Sequence, residues 1–144
     1  MLARDEHHEH VRRALLRDGW TITHDPLRVR WGARDMYIDL GAERLIAAEK
    51  AERKIAVEVK SFGGLSPIDD LEKAIGQFVI YHDVLAAVEP ERTLYLAVSD
   101  LVYDDIFSEP IGQLLVEKRR VRLMVFSTET ESIREWTPEP PMVK

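Results

Sequence analysis

Apolar and polar residues alternate along this chain with periods that change several times, and each change marks an element. From Lys54 to Phe62 the sequence reads Lys-Ile-Ala-Val-Glu-Val-Lys-Ser-Phe. Ile55, Val57 and Val59 alternate with Ala56, Glu58 and Lys60, the twofold period of a strand whose two faces differ in task. One face is β-branched and suits a core. The other sets a carboxylate and an ammonium two residues apart on one side. Upstream, Trp20 to His24 alternates as a strand that Asp25-Pro26 breaks. Leu27, Val29 and Trp31 then alternate with Arg28 and Arg30, and Gly32-Ala33-Arg34 turns the chain. Met36 to Leu40 reads as the next strand and Gly41 closes it, which puts Asp39 at a strand end, opposite the apolar side. Arg44 to Lys50 reads as a further strand or a short helix, joined to the central strand by a turn at Ala51-Glu52-Arg53.

Helical spacing takes over elsewhere. Asp5 predicts the cap of a helix running to about Asp18, with Gly19 as its stop and Val11, Ala14, Leu15 and His8 as its buried stripe. Ser66-Pro67-Ile68-Asp69 is a compact helix start, with serine at the cap, proline at the first position and an acid in the first turn. Ile68, Leu71, Ile75, Phe78, Val79 and Leu85 carry that helix to about Ala86. Thr93 to Val98 is almost wholly apolar and predicts a strand buried on both faces. Short helices follow from Ser99 and from Ser108-Glu109-Pro110, the second holding Ile111, Leu114 and Leu115. Val121 to Phe126 and Ile133 to Trp136 read as a final pair of strands. The order predicts an α/β fold, a mixed sheet with helices on both faces. One domain spans residues 1–137, and residues 138–144 form a frayed tail because Pro138, Pro140 and Pro141 resist pairing.

Composition narrows the function classes. The chain has 144 residues, 45% hydrophobic and 32% charged, which suits a soluble domain with a real core. No apolar run approaches the ~18 residues of a membrane helix, and the polar start is no secretory signal. A cytoplasmic location is expected. The absence of cysteine excludes disulfides and thiolate metal centres. A net charge of −6 argues against a protein that coats nucleic acid, though Arg28, Arg30 and Arg34 make one local basic cluster and Lys118, Arg119, Arg120 and Arg122 another. His7 and His10 stand at i, i+3, with no evident third ligand for zinc.

The chemistry centres on Asp39, Glu58 and Lys60. Two carboxylates on neighbouring strands make a hard, oxygen-rich pocket of the kind Mg²⁺ or Mn²⁺ takes, with room for waters and a phosphate. The Val59 carbonyl, between the two side chains of Glu58 and Lys60, is a further candidate ligand. Lys60 would orient a water and offset charge on a phosphoryl group. The alternative for Glu58 and Lys60 is a lateral ion pair on a half-exposed strand.

Asp39…Glu58-Val59-Lys60 resembles the PD-(D/E)-x-K signature of the restriction-endonuclease-like nuclease superfamily. Ile38 stands where that signature has proline, as in other nucleases of the superfamily. Gln77-Phe-Val-Ile-Tyr81 is similar to the Gln-x-x-x-Tyr element of the RecB-like and Holliday-junction-resolvase-like branches, and Glu9 to the acid on their first helix. Longer runs are similar to the XisH family, the fdxN-element excision controlling factors of cyanobacteria. These are Gly19-Trp-Thr-Ile-Thr-His-Asp-Pro26, Asp39-Leu-Gly-Ala-Glu43, Ala48-Glu-Lys50, Glu52 through Phe62, Gly76-Gln-Phe…Tyr81-His-Asp-Val-Leu85 and Glu109-Pro-Ile-Gly-Gln-Leu-Leu115.

The resemblance implies a restriction-endonuclease-like fold and a role in programmed excision of a DNA element. The partners it implies are DNA, a site-specific recombinase and an XisI-like companion protein, and it leaves a homo-oligomer open. It implies Asp39 and Glu58 as metal ligands, joined by Glu9 through water. Lys60 would be the catalytic ammonium, and Gln77 and Tyr81 would support it. Two functions remain: a Mg²⁺-dependent DNA endonuclease, or an accessory protein that binds partner, recombinase or DNA without chemistry.

Overall fold

The computed structural model of this chain describes residues 5–46 and 51–138. Expectations for residues 47–50 and for the tail at 139–144 fall outside them. The elements, in order, are α1 (His8–Arg17), β1 (Thr21–His24), β2 (Leu27–Trp31), β3 (Arg34–Ile38), β4 (Leu40–Ile46), β5 (Ala51–Val59), α2 (Pro67–Val88), β6 (Arg92–Ser99), α3 (Asp100–Asp104), a 3₁₀ turn (Ile106–Ser108), α4 (Pro110–Glu117), β7 (Leu123–Ser127) and β8 (Ser132–Thr137).

Six strands make a mixed sheet in the order β1-β4-β5-β6-β7-β8, while β2 and β3 pair only with each other as a separate antiparallel ribbon. The parallel pairs are β5 with β6 and β6 with β7. A parallel neighbour needs a crossover, and α2 supplies it between β5 and β6. Leu94, Leu96 and Val98 of β6 pack on the α2 side, Tyr95 and Ala97 on the α1 side, so this strand is buried on both faces as its composition requires. In β5, Ile55, Val57 and Val59 join Val11, Ala14 and Leu15 of α1. The opposite face of β5, which carries Ala56, Glu58 and Lys60, therefore looks toward α2. Each Leu- or Phe-sized side chain buried in these layers contributes roughly 1.5–3 kcal/mol.

Several local expectations change. The strand expected from Met36 to Leu40 is two strands, β3 and β4, in two different sheets, with Asp39 in the bend between them. Residues 51–53 belong to β5 rather than to a turn. Helix α1 starts at His8, with His7 and not Asp5 at its cap position. Asp5 acts one step earlier, its Oδ1 accepting from the His7 amide at 2.9 Å and its Oδ2 from the Ser61 amide at 2.9 Å. Gly19 does end the helix, with φ of 91°, the left-handed conformation that favours glycine. Ser66 caps α2 as expected, accepting from the Asp69 amide at 3.3 Å. Ile68 and Val79 are exposed, and the buried face of α2 is Leu71, Ala74, Phe78, Tyr81, Val84 and Leu85. On α4, Ile111 and Leu114 face solvent and Gly112 is buried.

Gly112 sits where α4 crosses the 3₁₀ turn. A Cβ there would lie 2.5 Å from the Phe107 Cα and closer still to the Ile106 carbonyl oxygen, both backbone atoms that cannot rotate away. Gly112→Ala should destabilise the protein by about 1–3 kcal/mol, read as a lower denaturant midpoint. An unchanged midpoint would mean that the crossing opens freely.

Candidate functional site

The last rung of the β4–β5 ladder pairs Leu40 with Val57. One step further, Asp39 comes opposite Glu58, and residues opposite each other in an antiparallel pair share a face. Side chains take over there from backbone. The Asp39 amide donates to Glu58 Oε1 at 3.1 Å, and the Val59 amide donates to Asp39 Oδ2 at 2.7 Å. Lys60, just past the end of β5, brings its ammonium to 3.5 Å from Glu58 Oε2. Asp39, Glu58 and Lys60, nineteen and two residues apart in sequence, thus form one cluster at the carboxyl end of β5. Ligands of open α/β sheets bind at such ends.

Glu58 is 6% exposed. Its carboxyl is pushed up to about 8, first by burial and then by the neighbouring Asp39, with Lys60 pulling the other way. From α2, the Gln77 amide donates to the Tyr81 hydroxyl at 2.9 Å, which leaves the phenol's own hydrogen to be donated onward. Burial raises the Tyr81 phenol and so does the charge of Glu58, which places the ring within electrostatic reach of the carboxylates.

The donor set suits a divalent cation. Two carboxylates forced together accumulate a charge that a cation relieves. Two carboxylates leave most positions of an octahedral ion open for waters or a phosphate, which is how Mg²⁺ is usually held. Glu9 is exposed on the first turn of α1, and among the described residues no cluster of three His, Asp or Glu side chains surrounds one ion position. His7 and His10 meet, Nδ1 to Nδ1, at 3.3 Å with no third ligand in that set. His8 is buried as expected, but through a 2.8 Å contact to Asp25.

Beside Lys60 lies a cleft of about 200 Å³ lined by Asp5, Ser61, Phe62, Gly63, Asp70 and Lys73. Its rim is fastened twice. Asp5 accepts from Ser61, and Asp70 Oδ2 accepts from the Gly64 amide at 3.0 Å. Phe62 takes a left-handed φ of 55°, with its ring edge-on to Phe107. Lys73 escaped the sequence analysis, although its signal is present: Lys73, Gln77 and Tyr81 recur every four residues and line one face of α2. Asp5 was legible only as a helix cap, because nothing local announces its bond to residue 61.

The XisH protein family model matches residues 1–134. This chain belongs to the XisH family. An XisH family protein from Nostoc punctiforme superposes with a TM-score of 0.82 at 38% identity, over 92% of this chain and 98% of that one. An fdxN element excision controlling factor protein from Anabaena variabilis superposes at 0.83 with 39% identity, over 93% and 99%. No curated protein matches. Both relatives are matched almost end to end, so the carboxylate bend and the α2 face of this XisH chain lie within the shared architecture. No helix among the described residues is long and apolar enough to cross a membrane.

A carboxyl raised in the fold makes stability depend on pH. Below its ordinary value of 4.5 both folded and unfolded chains keep the proton and the pH has no effect. Between there and about 8 the unfolded chain releases it while the folded chain holds it, so stability falls as pH rises and then levels off. In chelated buffer the denaturant midpoint should decline across this window. Glu58→Gln should be more stable at the alkaline end and nearly flat. A Gln variant with the parent's slope would assign the titration to another group.

Proposed function

We propose that this chain is a controlling factor for excision of a DNA element, and that its carboxylate pocket hydrolyses a phosphodiester bond with Mg²⁺ or Mn²⁺. The excision role comes from the Anabaena variabilis relative. The observation that carries the chemistry is the hydrogen-bonded Asp39–Glu58 pair with the Lys60 ammonium against it. When bound, the cation polarises a phosphoryl oxygen and acidifies a water. Asp39 and Glu58 hold it, with the Val59 carbonyl beside them. Lys60 orients the nucleophile and neutralises charge that builds on the phosphoryl oxygens. Tyr81, steadied by Gln77, donates its hydroxyl hydrogen toward the same anionic centre. Glu9 contributes through water once substrate and cation are in place. The active site is that of a PD-(D/E)-x-K nuclease in donor types and order, and its substrate is DNA, supplied in the company of a recombinase and an XisI-like companion.

A second function is favoured by two observations. The chain carries a net charge of −6, and its described residues gather two carboxylates rather than three. Both suit an accessory protein that keeps a nuclease scaffold for binding alone. Nicking of supercoiled and branched DNA separates the two. Metal-dependent nicking, reduced at least a hundredfold in both Asp39→Ala and Lys60→Ala (about 3 kcal/mol of transition-state stabilisation), supports hydrolysis. Nicking that survives both variants refutes this site.

Metal binding gives a readout independent of turnover. The cation must displace the proton on Glu58, so Mn²⁺ affinity measured by calorimetry should tighten as pH rises toward about 8. Asp39→Ala should abolish most of the heat. A variant that binds Mn²⁺ as the parent does would remove Asp39 from the ligand set.

A further inference from the structure

The ribbon of β2 and β3 is set apart from the main sheet and ends one residue before Asp39. Its inner residues, Leu27, Val29 and Ile38, with Met36 against them, pack into the core with α2. Its outer face is a different surface. There the register sets Arg28 across from Tyr37 and Arg30 across from Asp35, while Trp31 and Arg34 pair at the turn on the inner face, past the edge of the core, where both are exposed. Arg28 and Arg30 side chains are 60% and 56% exposed, and Trp31 is 56% exposed.

Asp35 lies 3.5 Å from Arg28 and 3.6 Å from Arg30, single long contacts that water screens. Arg34 has no ion pair among the described residues. From Leu27 to Ile38 the ribbon holds three arginines against one aspartate, in a chain whose total is −6. A lone exposed tryptophan needs no explanation. An exposed Tyr37 beside Arg28 and Arg30 on one face, with exposed Trp31 and Arg34 together at the tip, on a ribbon rooted at the candidate catalytic acid, is a different matter.

We infer that the β2–β3 ribbon is the duplex-DNA docking element of this protein, entering a groove beside the phosphate that meets Asp39 and Glu58. The inference builds on the DNA-directed function above and adds the surface that holds the substrate. The major groove admits a two-stranded ribbon, and arginines serve both its phosphate walls and the guanine edge. The rest of the molecule is net acidic, and its other exposed basic cluster, Lys118 to Arg122, lies between α4 and β7, so of the two clusters the ribbon is the one adjoining Asp39. At ~3.3 Å per strand residue, the Trp31–Arg34 tip stands roughly 16 Å from Asp39. That is about five base pairs at ~3.4 Å each, so the footprint extends to one side of the reacting phosphate.

The test uses the full chain in chelating buffer, where no hydrolysis occurs, with a fluorescently labelled duplex of about three helical turns. The Arg28→Ala, Arg30→Ala double variant should bind about tenfold more weakly, and the slope of log affinity against log salt should fall by about two. The unmodified chain gives a second readout. Trp20 is buried at 4% exposure and Trp136 is partly buried, so acrylamide quenching reports chiefly on Trp31. Duplex should protect it.

A double variant with the parent's affinity, a Trp31 equally quenched with and without duplex, or a parent that binds no duplex overturns the proposal. So does ribbon-dependent binding that prefers single-stranded RNA. Ribbon-dependent duplex binding with no nicking in Mn²⁺ leaves the docking element standing and removes the hydrolysis. Nicking indifferent to the ribbon variants does the reverse.

Discussion

Two acids held side by side against the sheet are the constraint from which the rest of this architecture follows. Asp39 and Glu58 meet because the β4–β5 ladder continues one step past its last backbone rung, in side-chain hydrogen bonds instead of main-chain ones. That clamp needs Asp39 in a bend, and the bend separates the ribbon from the six-stranded sheet. Burial and like charge both act against the ionised pair, as the raised Glu58 carboxyl records. A structural ion pair would be placed the other way, with the acid charged and its lysine close. Here Lys60 stands at 3.5 Å, beyond ordinary hydrogen-bond length, with about a third of its side chain open to water.

Around that pair the chain distributes its charge unevenly. Lys73, Gln77 and Tyr81 descend one face of α2 toward the carboxylates, and Lys60 and Lys73 both border the adjoining cleft. The acids of the cleft, Asp5 and Asp70, are occupied with backbone amides of the 61–64 loop. They hold the rim and place two acids beside the two lysines of the cleft. The opposite end of the sheet is fastened by a different device. Arg92, 5% exposed, donates to the Ile55 carbonyl at 2.9 Å and pairs with Glu89 at 3.0 Å.

The sequence made β5, β6 and the start of α2 plain, because each is specified by a local signal: strict alternation, an unbroken apolar run, and a serine–proline cap. It also put Glu58 on the right strand, with Lys60 falling just past that strand's end. It hid the break at Asp39, since alternation runs on from Met36 through Leu40 and a period says nothing about which partner each half takes. Ile68 and Val79 looked like core by spacing, yet the buried stripe of α2 runs through Leu71, Ala74, Phe78, Tyr81 and Leu85 and leaves Val79 beside it and Ile68 in the first turn before it. Arg92 and Asp5 were opaque because their partners are distant in sequence. Lys73 was visible as a four-residue repeat but had no local feature to distinguish it from an ordinary solvated charge.

The single residue between β3 and β4 has an evolutionary corollary. Side chains alternate along a strand, so adding or deleting one residue at Asp39 would turn Leu27, Val29 and Ile38 outward or swing the carboxylate away from Glu58. Length changes are therefore barred at the root of the ribbon. They are open only at its Gly32-Ala33 tip, and there only in matched pairs, one on each strand. Variation in ribbon length among relatives would be confined to this tip while the acid beneath it stays fixed.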